Sequence, residues 1–158
     1  MSTQMRRCAA QGLQEGDSFT ISRTFTREDT RLMGDVTRDY NPVHYEPSWA
    51  KSKGFQAEIC HGLLVGGMIC EIGGQLAWLA TGMDFRFLKP VYFGETITCK
   101  MTITKLDETG RAQAEAEMYN QEGQKVCLAT LGGRVPCGEE KEVLHQILEQ
   151  GDQENKLA

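Results

Sequence analysis

The sequence has no excess of positive charge. Its 158 residues carry 17 lysines and arginines against 22 aspartates and glutamates, for a formal net charge of −5. The densest basic group is the pair Arg6 and Arg7. A nucleic-acid-binding surface needs a basic patch or stripe, so the composition argues against a nucleic-acid partner.

The six cysteines lack the spacing of a metal site or a redox motif. No two of them form a CxxC pair, and several lie in apolar runs, where cysteine acts as a small hydrophobic residue. A charged-then-apolar leader is also missing. We therefore expect free thiols, no metal, and a reducing, cytoplasmic location. The cysteines are Cys8, Cys60, Cys70, Cys99, Cys127 and Cys137.

No long apolar run is free of polar residues. The most apolar stretch, 59–79, contains His61, Glu71, Gln75 and five glycines. Charged residues are rare and costly inside a bilayer, so this stretch predicts one long buried helix and no membrane partner. Each glycine inside a helix costs about 1 kcal/mol relative to alanine. Their number indicates that a sheet or a ligand approaches this helix closely.

Alternation of apolar and polar residues predicts four strands, at 17–25, 96–105, 111–119 and 125–135. The Ala and Glu content of 111–119 favours a helix, but its period of two favours a strand, and we follow the period. Strands that succeed one another along the chain predict an antiparallel sheet.

Short helices are predicted between the first strand and the long helix. Thr26 with Asp29 is typical of a helix N-terminus, and this helix reaches Thr37. Pro47 predicts the start of a second short helix, which Gly54 ends.

The order of elements predicts an α+β fold of one domain, with the helices on one face of an antiparallel sheet. We expect an N-terminal tail over 1–14, the domain over 15–136, and a C-terminal helix and tail over 137–158. A curved antiparallel sheet wrapped around a long central helix is the hotdog arrangement.

The segment Asp39-Tyr-Asn-Pro-Val-His44 places a carboxylate and an imidazole in one loop. Pro42 restricts its own backbone and pushes Asn41 towards an extended conformation, which stiffens the chain between the two groups. Together they could accept a proton from a water molecule and return it elsewhere. Asp, Asn and Pro are also common turn residues, so the residues alone leave an ordinary surface loop open.

His61 and Gly62 lie where the long helix is predicted to begin. Backbone N–H groups at a helix N-terminus are unpaired and carry partial positive charge. A carbonyl oxygen placed there would be polarised as it turns into an enolate. The alternatives are that Gly62 only allows a tight turn and that His61 is a buried hydrogen-bond donor.

The pattern of these residues resembles the hydratase motif of MaoC-like proteins. It consists of Asp39-x-Asn41-Pro42-x-His44 followed by Ile59-x-His61-Gly62-Leu63-Leu64, and 85–96 is similar to a later strand and turn of that family. The resemblance covers about residues 15–136. It implies a hotdog fold and an (R)-specific enoyl-CoA hydratase, that is, a hydro-lyase.

The resemblance also implies roles for residues. Asp39 and His44 would hold and activate the water, Asn41 would support them, and the N–H of Gly62 would bind the thioester oxygen. The substrate-binding positions would be His61, Leu63 and Phe55. No metal or redox cofactor is implied, since coenzyme A is part of the substrate, and the family implies a homodimer.

Three functions remain open on the sequence. A hotdog thioesterase would hydrolyse the thioester, and a non-catalytic subunit would only bind it; a fold alone does not separate these from a hydratase. The pairing of Asp39 with His44 favours hydration, because hydrolysis does not require that imidazole. The connection between the long helix and the strand near Phe85 is short, only 80–83, where many relatives have a longer segment. Arg23, Arg86 and Lys89 could form a basic entrance for the acyl carrier.

Overall fold

The computed structural model describes residues 2–157 and contains one five-stranded antiparallel sheet. Its strand order is β1-β3-β4-β5-β2, so β1 and β2 are the edge strands. The α+β class predicted from the sequence is confirmed. The strands are β1 (Ser18–Thr24), β2 (Leu79–Phe87), β3 (Thr96–Leu106), β4 (Arg111–Tyr119) and β5 (Lys125–Arg134).

Strands β3 and β4 form the centre of the core. Every second residue is buried, and the pairing register places Met101 opposite Ala116. The prediction that 111–119 is a strand is therefore confirmed, because burial of one face outweighs the helix propensity of alanine and glutamate. The buried residues of the two strands are Ile97, Cys99, Met101, Ile103, Ala112, Ala114, Ala116 and Met118.

Six α-helices accompany the sheet within residues 2–157. The predicted cap of α2 is confirmed: the Thr26 hydroxyl accepts a hydrogen bond from the Asp29 N–H, and the Asp29 carboxylate accepts one from the Thr26 N–H. No helix in this part of the chain is both long and apolar enough to cross a membrane. The helices are α1 (Ser2–Gln11), α2 (Arg27–Thr37), α3 (Pro47–Ser52), α4 (Gly62–Gly66), α5 (Met68–Gln75) and α6 (Glu139–Glu149).

The prediction of one helix over 59–79 is wrong in its extent. Two short helices, α4 and α5, meet at Gly67, and α5 packs on β1 and β3. The helix ends because Ala77 adopts a left-handed backbone (φ 51°) and the Trp78 N–H donates to the Gly73 carbonyl. This pattern is a Schellman motif. Strand β2 then begins at Leu79, so the connection is even shorter than the sequence predicted.

The predicted close approach to the glycine-rich helix is confirmed at two positions. A Cβ atom on Gly62 would lie 2.8 Å from the ring of Phe87, and one on Gly66 would lie 2.8 Å from the ring of Phe85. The two rings of β2 are nearly parallel, with centroids 6.0 Å apart. Glycine at 62 and 66 therefore lets an aromatic strand lie directly against α4.

Helix α2 packs against the rest of the protein through small residues rather than through its large apolar ones. Thr30 and Gly34 are buried, whereas Leu32 and Val36 are 57% and 83% exposed. Leu32 and Val36 therefore form an exposed apolar surface on the isolated chain.

Residues 1–14, expected to form a tail, instead contain α1, which packs on α5 and α6. Nη1 of Arg6 donates to both carboxylate oxygens of the buried Asp152, at 2.9 and 3.0 Å, and Nη2 donates to the Gly74 carbonyl at 2.7 Å. Arg6 thus links the N-terminal helix to Asp152 near the C-terminus and to the end of α5. The predicted C-terminal helix is present as α6.

All six cysteines are free, as the sequence predicted.

Candidate active site

The loop after α2 is held in shape by its own side chains. Helix α2 ends at Arg38, whose backbone is left-handed (φ 58°), and Pro42 begins a 3-10 turn, Pro42–His44. The Asn41 side chain accepts a hydrogen bond from the Val43 N–H, and the Asn41 N–H donates to Oδ1 of Asp39, both at 3.2 Å. Asn41 therefore supports the turn that carries Asp39 and His44.

His44 is buried and has a defined orientation. Its Nδ1 donates a hydrogen bond to the Ile59 carbonyl at 2.8 Å, so Nε2 carries the free lone pair. Nε2 lies 3.9 Å from Oδ2 of Asp39, whose side chain is half exposed. Burial lowers the pKa of His44 below its usual 6.5, and proximity to His61 adds to the effect. His44 is thus favoured in its neutral form, which can accept a proton.

His61 joins this pair from the start of α4. Its ring stacks on that of His44, with centroids 3.8 Å apart and planes inclined by 27°. Its Nε2 donates to the Asp39 carbonyl oxygen at 2.9 Å and lies 3.8 Å from Oδ2 of the same residue. The structure therefore brings together Asp39, His44 and His61 from two separate segments of the chain.

A mostly apolar cavity of about 320 Å³ opens beside His44. Small-molecule sites in proteins have volumes of this order. Of the predicted residues, His44, Gly62 and Phe55 line it. Asp39, Asn41, His61 and Leu63 do not, and Leu63 is 55% exposed. The full lining consists of His44, Phe55, Ile59, Cys60, Gly62, Val65, Phe87, Leu88, Lys89, Pro90, Val91, Val126 and Cys127.

Gly62 is the first residue of α4. Its N–H therefore has no acceptor inside the helix. Because Gly62 also lines the cavity next to His44, a carbonyl oxygen of a bound molecule could accept that hydrogen bond.

Two thiols face the same cavity. Burial raises the pKa of Cys60 to about 12 and that of Cys127 to about 11. Both remain protonated near neutral pH, so neither is a thiolate nucleophile.

The three cations predicted at an entrance are placed differently. Lys89 lines the cavity, and Arg86 is exposed on β2. Arg23 is on the opposite edge strand, β1, where it pairs with Asp29 at 3.3 Å. Only Lys89 is therefore placed to meet a charged group at the cavity.

Asp39, His44 and His61 each offer one possible metal ligand within 4.8 Å of the others. The two rings are stacked, so their nitrogen lone pairs run side by side rather than converge, and Nε2 of His61 is engaged by the Asp39 carbonyl. A tetrahedral metal needs converging lone pairs. The residues as arranged do not fit a metal, and the expected independence from metals remains a prediction.

Phe87 and Tyr45 are among the residues of the site that were not predicted from the sequence. Phe87 lines the cavity against Gly62, and its position in an apolar strand next to Phe85 was a usable signal. Tyr45 donates a hydrogen bond from its hydroxyl to the Asp39 carbonyl at 3.3 Å. No sequence signal beyond its position next to His44 pointed to this contact.

Comparisons with known proteins agree on one family. The MaoC like domain matches residues 10–125. The chain is 32% identical over 101 residues to a mitochondrial 3-hydroxyacyl-[acyl-carrier-protein] dehydratase of Arabidopsis thaliana, a match that covers 61% of the chain and 60% of that relative's length. It is 27% identical over 104 residues to an (R)-specific enoyl-CoA hydratase of Aeromonas caviae, covering 63% and 78% respectively.

The solved structure of the (R)-hydratase from A. caviae has the same fold. The TM-score is 0.74 at 24% identity, and the superposition covers 80% of this chain and 99% of that one. The predicted hotdog fold is confirmed. With the family match extending over residues 10–125, the chain belongs to the MaoC-like domain family.

Proposed function

We propose that the protein catalyses the reversible hydration of trans-2-enoyl-CoA to (R)-3-hydroxyacyl-CoA. Coenzyme A is part of the substrate, and no metal or redox cofactor takes part. One observation carries the proposal: Nε2 of His44, a residue that lines the apolar cavity, lies 3.9 Å from Oδ2 of Asp39. The relatives named as a hydratase and a dehydratase support it.

The spacing of the two groups suits one bound water. A distance of 3.9 Å is too long for a direct hydrogen bond, but a water about 2.8 Å from each atom spans it. Both atoms are acceptors, so each takes one hydrogen of the water. The water oxygen is thereby left to attack a carbon held in the cavity.

In hydration, His44 Nε2 accepts one proton as the water oxygen bonds to C3 of the enoyl group. The C2–C3 double bond moves to C1–C2, which places negative charge on the thioester oxygen. The Gly62 N–H stabilises this charge because it is a preorganised donor at the start of α4, beside a mostly apolar cavity. A proton returned from the Asp39–His44 pair to C2 completes the addition, and the reverse sequence expels water.

The direct test is a stereochemical assay with trans-2-enoyl-CoA substrates of several lengths. Loss of the conjugated enoyl absorbance measures hydration, and chiral separation identifies the 3-hydroxyacyl product. We expect the (R) product, and we expect Asp39→Asn and His44→Ala each to lower kcat by about 10²- to 10⁴-fold, the usual contribution of general acid–base catalysis. Glu46→Gln is the matched control, because Glu46 is an exposed carboxylate close to His44 that makes no capping hydrogen bond.

Hydration that survives both substitutions would contradict the site. Release of free CoA without a hydroxyacyl product would identify a thioesterase instead. Binding of enoyl-CoA without any turnover would identify a non-catalytic subunit.

We also propose that two copies pair through β2 to form a homodimer in the cytoplasm. Within the described residues, β2 pairs only with β5, so its other edge is unpaired. Its exposed apolar side chains are Leu79, Met83 and Phe87. An exposed apolar edge strand favours association with another strand, and an antiparallel pairing of identical strands satisfies two-fold symmetry.

A further inference from the structure

The backbone of Asp39 is held by two side chains that do not contact the cavity. The carbonyl oxygen of Asp39 accepts hydrogen bonds from Nε2 of His61 at 2.9 Å and from the Tyr45 hydroxyl at 3.3 Å. His61 and Tyr45, like Asp39 itself, are not among the residues that line the cavity within 2–157, and each donates a hydrogen bond to Asp39. Both donors therefore act on the residue that carries the carboxylate rather than on a ligand.

The sequence makes room for this contact at Gly34. A Cβ atom built on Gly34 would overlap the Tyr45 hydroxyl, and Gly34 is buried in α2. The same hydroxyl also reaches the Thr30 carbonyl at 3.5 Å. The Tyr45 side chain thus packs between α2 and the loop, in a space that exists because residue 34 is glycine.

The carboxylate itself is free on one side. Oδ1 of Asp39 accepts the Asn41 N–H at 3.2 Å. Oδ2 faces His44 and His61 at 3.9 and 3.8 Å, beyond direct hydrogen-bond length. The hydrogen bonds from His61 and Tyr45 go to the backbone carbonyl of Asp39. They therefore orient the residue and leave Oδ2 able to bind a water molecule.

The ring of His61 also fixes its neighbour. It is 2% exposed, and it stacks on His44 at 3.8 Å between centroids. The His61 side chain contacts both Asp39 and His44, so it sets the distance between them. His61 directly precedes Gly62 in the chain.

We propose that His61 is a positioning residue, assisted by Tyr45, that holds Asp39 through its backbone carbonyl. The family resemblance implies a substrate-binding role for His61, whereas its burial and its hydrogen bond to Asp39 favour the positioning role. The consequence for turnover rests on the proposed hydratase function. The effect of His61 and Tyr45 on the conformation of the loop does not depend on that function.

The test compares His61→Gln, His61→Phe and Tyr45→Phe. A glutamine amide reaches the position of Nε2 through the same number of bonds and keeps the donor, whereas phenylalanine keeps a stacking ring but has no donor. Misplacement of a catalytic group by about 1 Å costs about 100-fold in rate. On that scale we expect His61→Phe to lower kcat by about 30-fold, Tyr45→Phe by about threefold, and His61→Gln by less than about fivefold, all with KM nearly unchanged.

A second readout needs no substrate. Hydrogen–deuterium exchange of the peptide spanning residues 39–46 reports the loop directly. We expect faster exchange in His61→Phe and Tyr45→Phe and wild-type exchange in His61→Gln. Tyr45→Phe removes only one hydroxyl, so it remains informative even where a change at the buried His61 lowers folding yield.

Several results would overturn the proposal. These are wild-type exchange in both phenylalanine variants, a glutamine variant as impaired as the phenylalanine variant, or a loss expressed mainly in KM. If the wild-type protein hydrates no enoyl thioester, the proposed function fails, and the exchange experiment still decides whether His61 holds the loop.

Discussion

The hydrogen bond from Nδ1 of His44 to the Ile59 carbonyl, 2.8 Å long, directs the unprotonated Nε2 towards Asp39. The proposed mechanism, in which a neutral His44 accepts a proton, predicts how activity depends on pH. Burial lowers the His44 pKa below 6.5, so we expect kcat/KM to be level near neutral pH and to fall along an acidic limb whose midpoint lies below 6.5. The limb should be missing from the residual activity of His44→Ala, as measured from pH 4.5 to 8.

The same shift makes a prediction for stability. The unfolded chain binds a proton at His44 near pH 6.5, whereas the folded protein binds it only at lower pH. The contribution of His44 to stability is therefore fully present above pH 6.5 and is lost as pH falls through the folded pKa. Urea unfolding at pH 5 and pH 8 should show a smaller difference for His44→Gln than for the wild type.

Gly66→Ala should destabilise the protein, because the new Cβ lies 2.8 Å from the ring of Phe85. Overpacking costs about 1–3 kcal/mol, and the gain in helix propensity returns about 1 kcal/mol. Gly74→Ala is the matched control, since a Cβ there meets nothing within 4 Å, and we expect it to be neutral or stabilising. The clash is the cause if Phe85→Leu relieves the loss at Gly66 in a double-mutant cycle; equal losses at 66 and 74 would point to the backbone instead.

Arg6→Ala should lower the free energy of unfolding by about 3 kcal/mol, because it leaves a buried carboxylate without its cationic partner. Arg6 and Asp152 are 18% and 8% exposed, and Arg6 also donates to the Gly74 carbonyl. Arg7→Ala, on the exposed side of the same helix, should have little effect. Chemical denaturation of both variants measures the difference. Equal losses of unfolding free energy would mean that the ion pair with Asp152 does not stabilise the protein.

Met83→Glu should weaken the proposed dimer, because it places a charge on the exposed edge strand of each copy. Light scattering after size exclusion should give a dimer for the wild type and a monomer for the variant at micromolar concentration. Thr20→Glu, on the opposite edge strand β1, should leave the dimer intact. A monomeric wild type, or dissociation by both substitutions, would contradict pairing through β2.

Local patterns predicted local structure well. The capping residues Thr26 and Asp29 define the start of α2, and the alternation of 111–119 defines β4 against its helix propensity. The end of α5 was not predictable from composition, because the chain turns at Ala77, a residue that seldom adopts a left-handed backbone. Helix α1 was not predicted because it packs on α5 and α6, which are distant in sequence.

In the candidate site, too, features set by local sequence were predicted and features set by distant contacts were not. The spacing of Asp39 and His44 and the resemblance to a family identified the pair and the neighbouring Gly62. The stacking of His61 on His44 depends on how α4 meets the loop, and the closure of the cavity by Phe87 depends on strand register. These contacts arise from tertiary packing, which one sequence does not encode as a periodic pattern.

The thiols of Cys60 and Cys127 have a consequence for chemical durability. An α,β-unsaturated thioester is an electrophile that alkylates thiolates at its C3 carbon. A site that binds such molecules next to cysteine therefore faces the risk of modifying itself. Because burial raises the pKa of both cysteines to about 12 and about 11, they stay protonated near neutral pH, so the apolar wall of the cavity would also protect the protein from the substrate proposed for it.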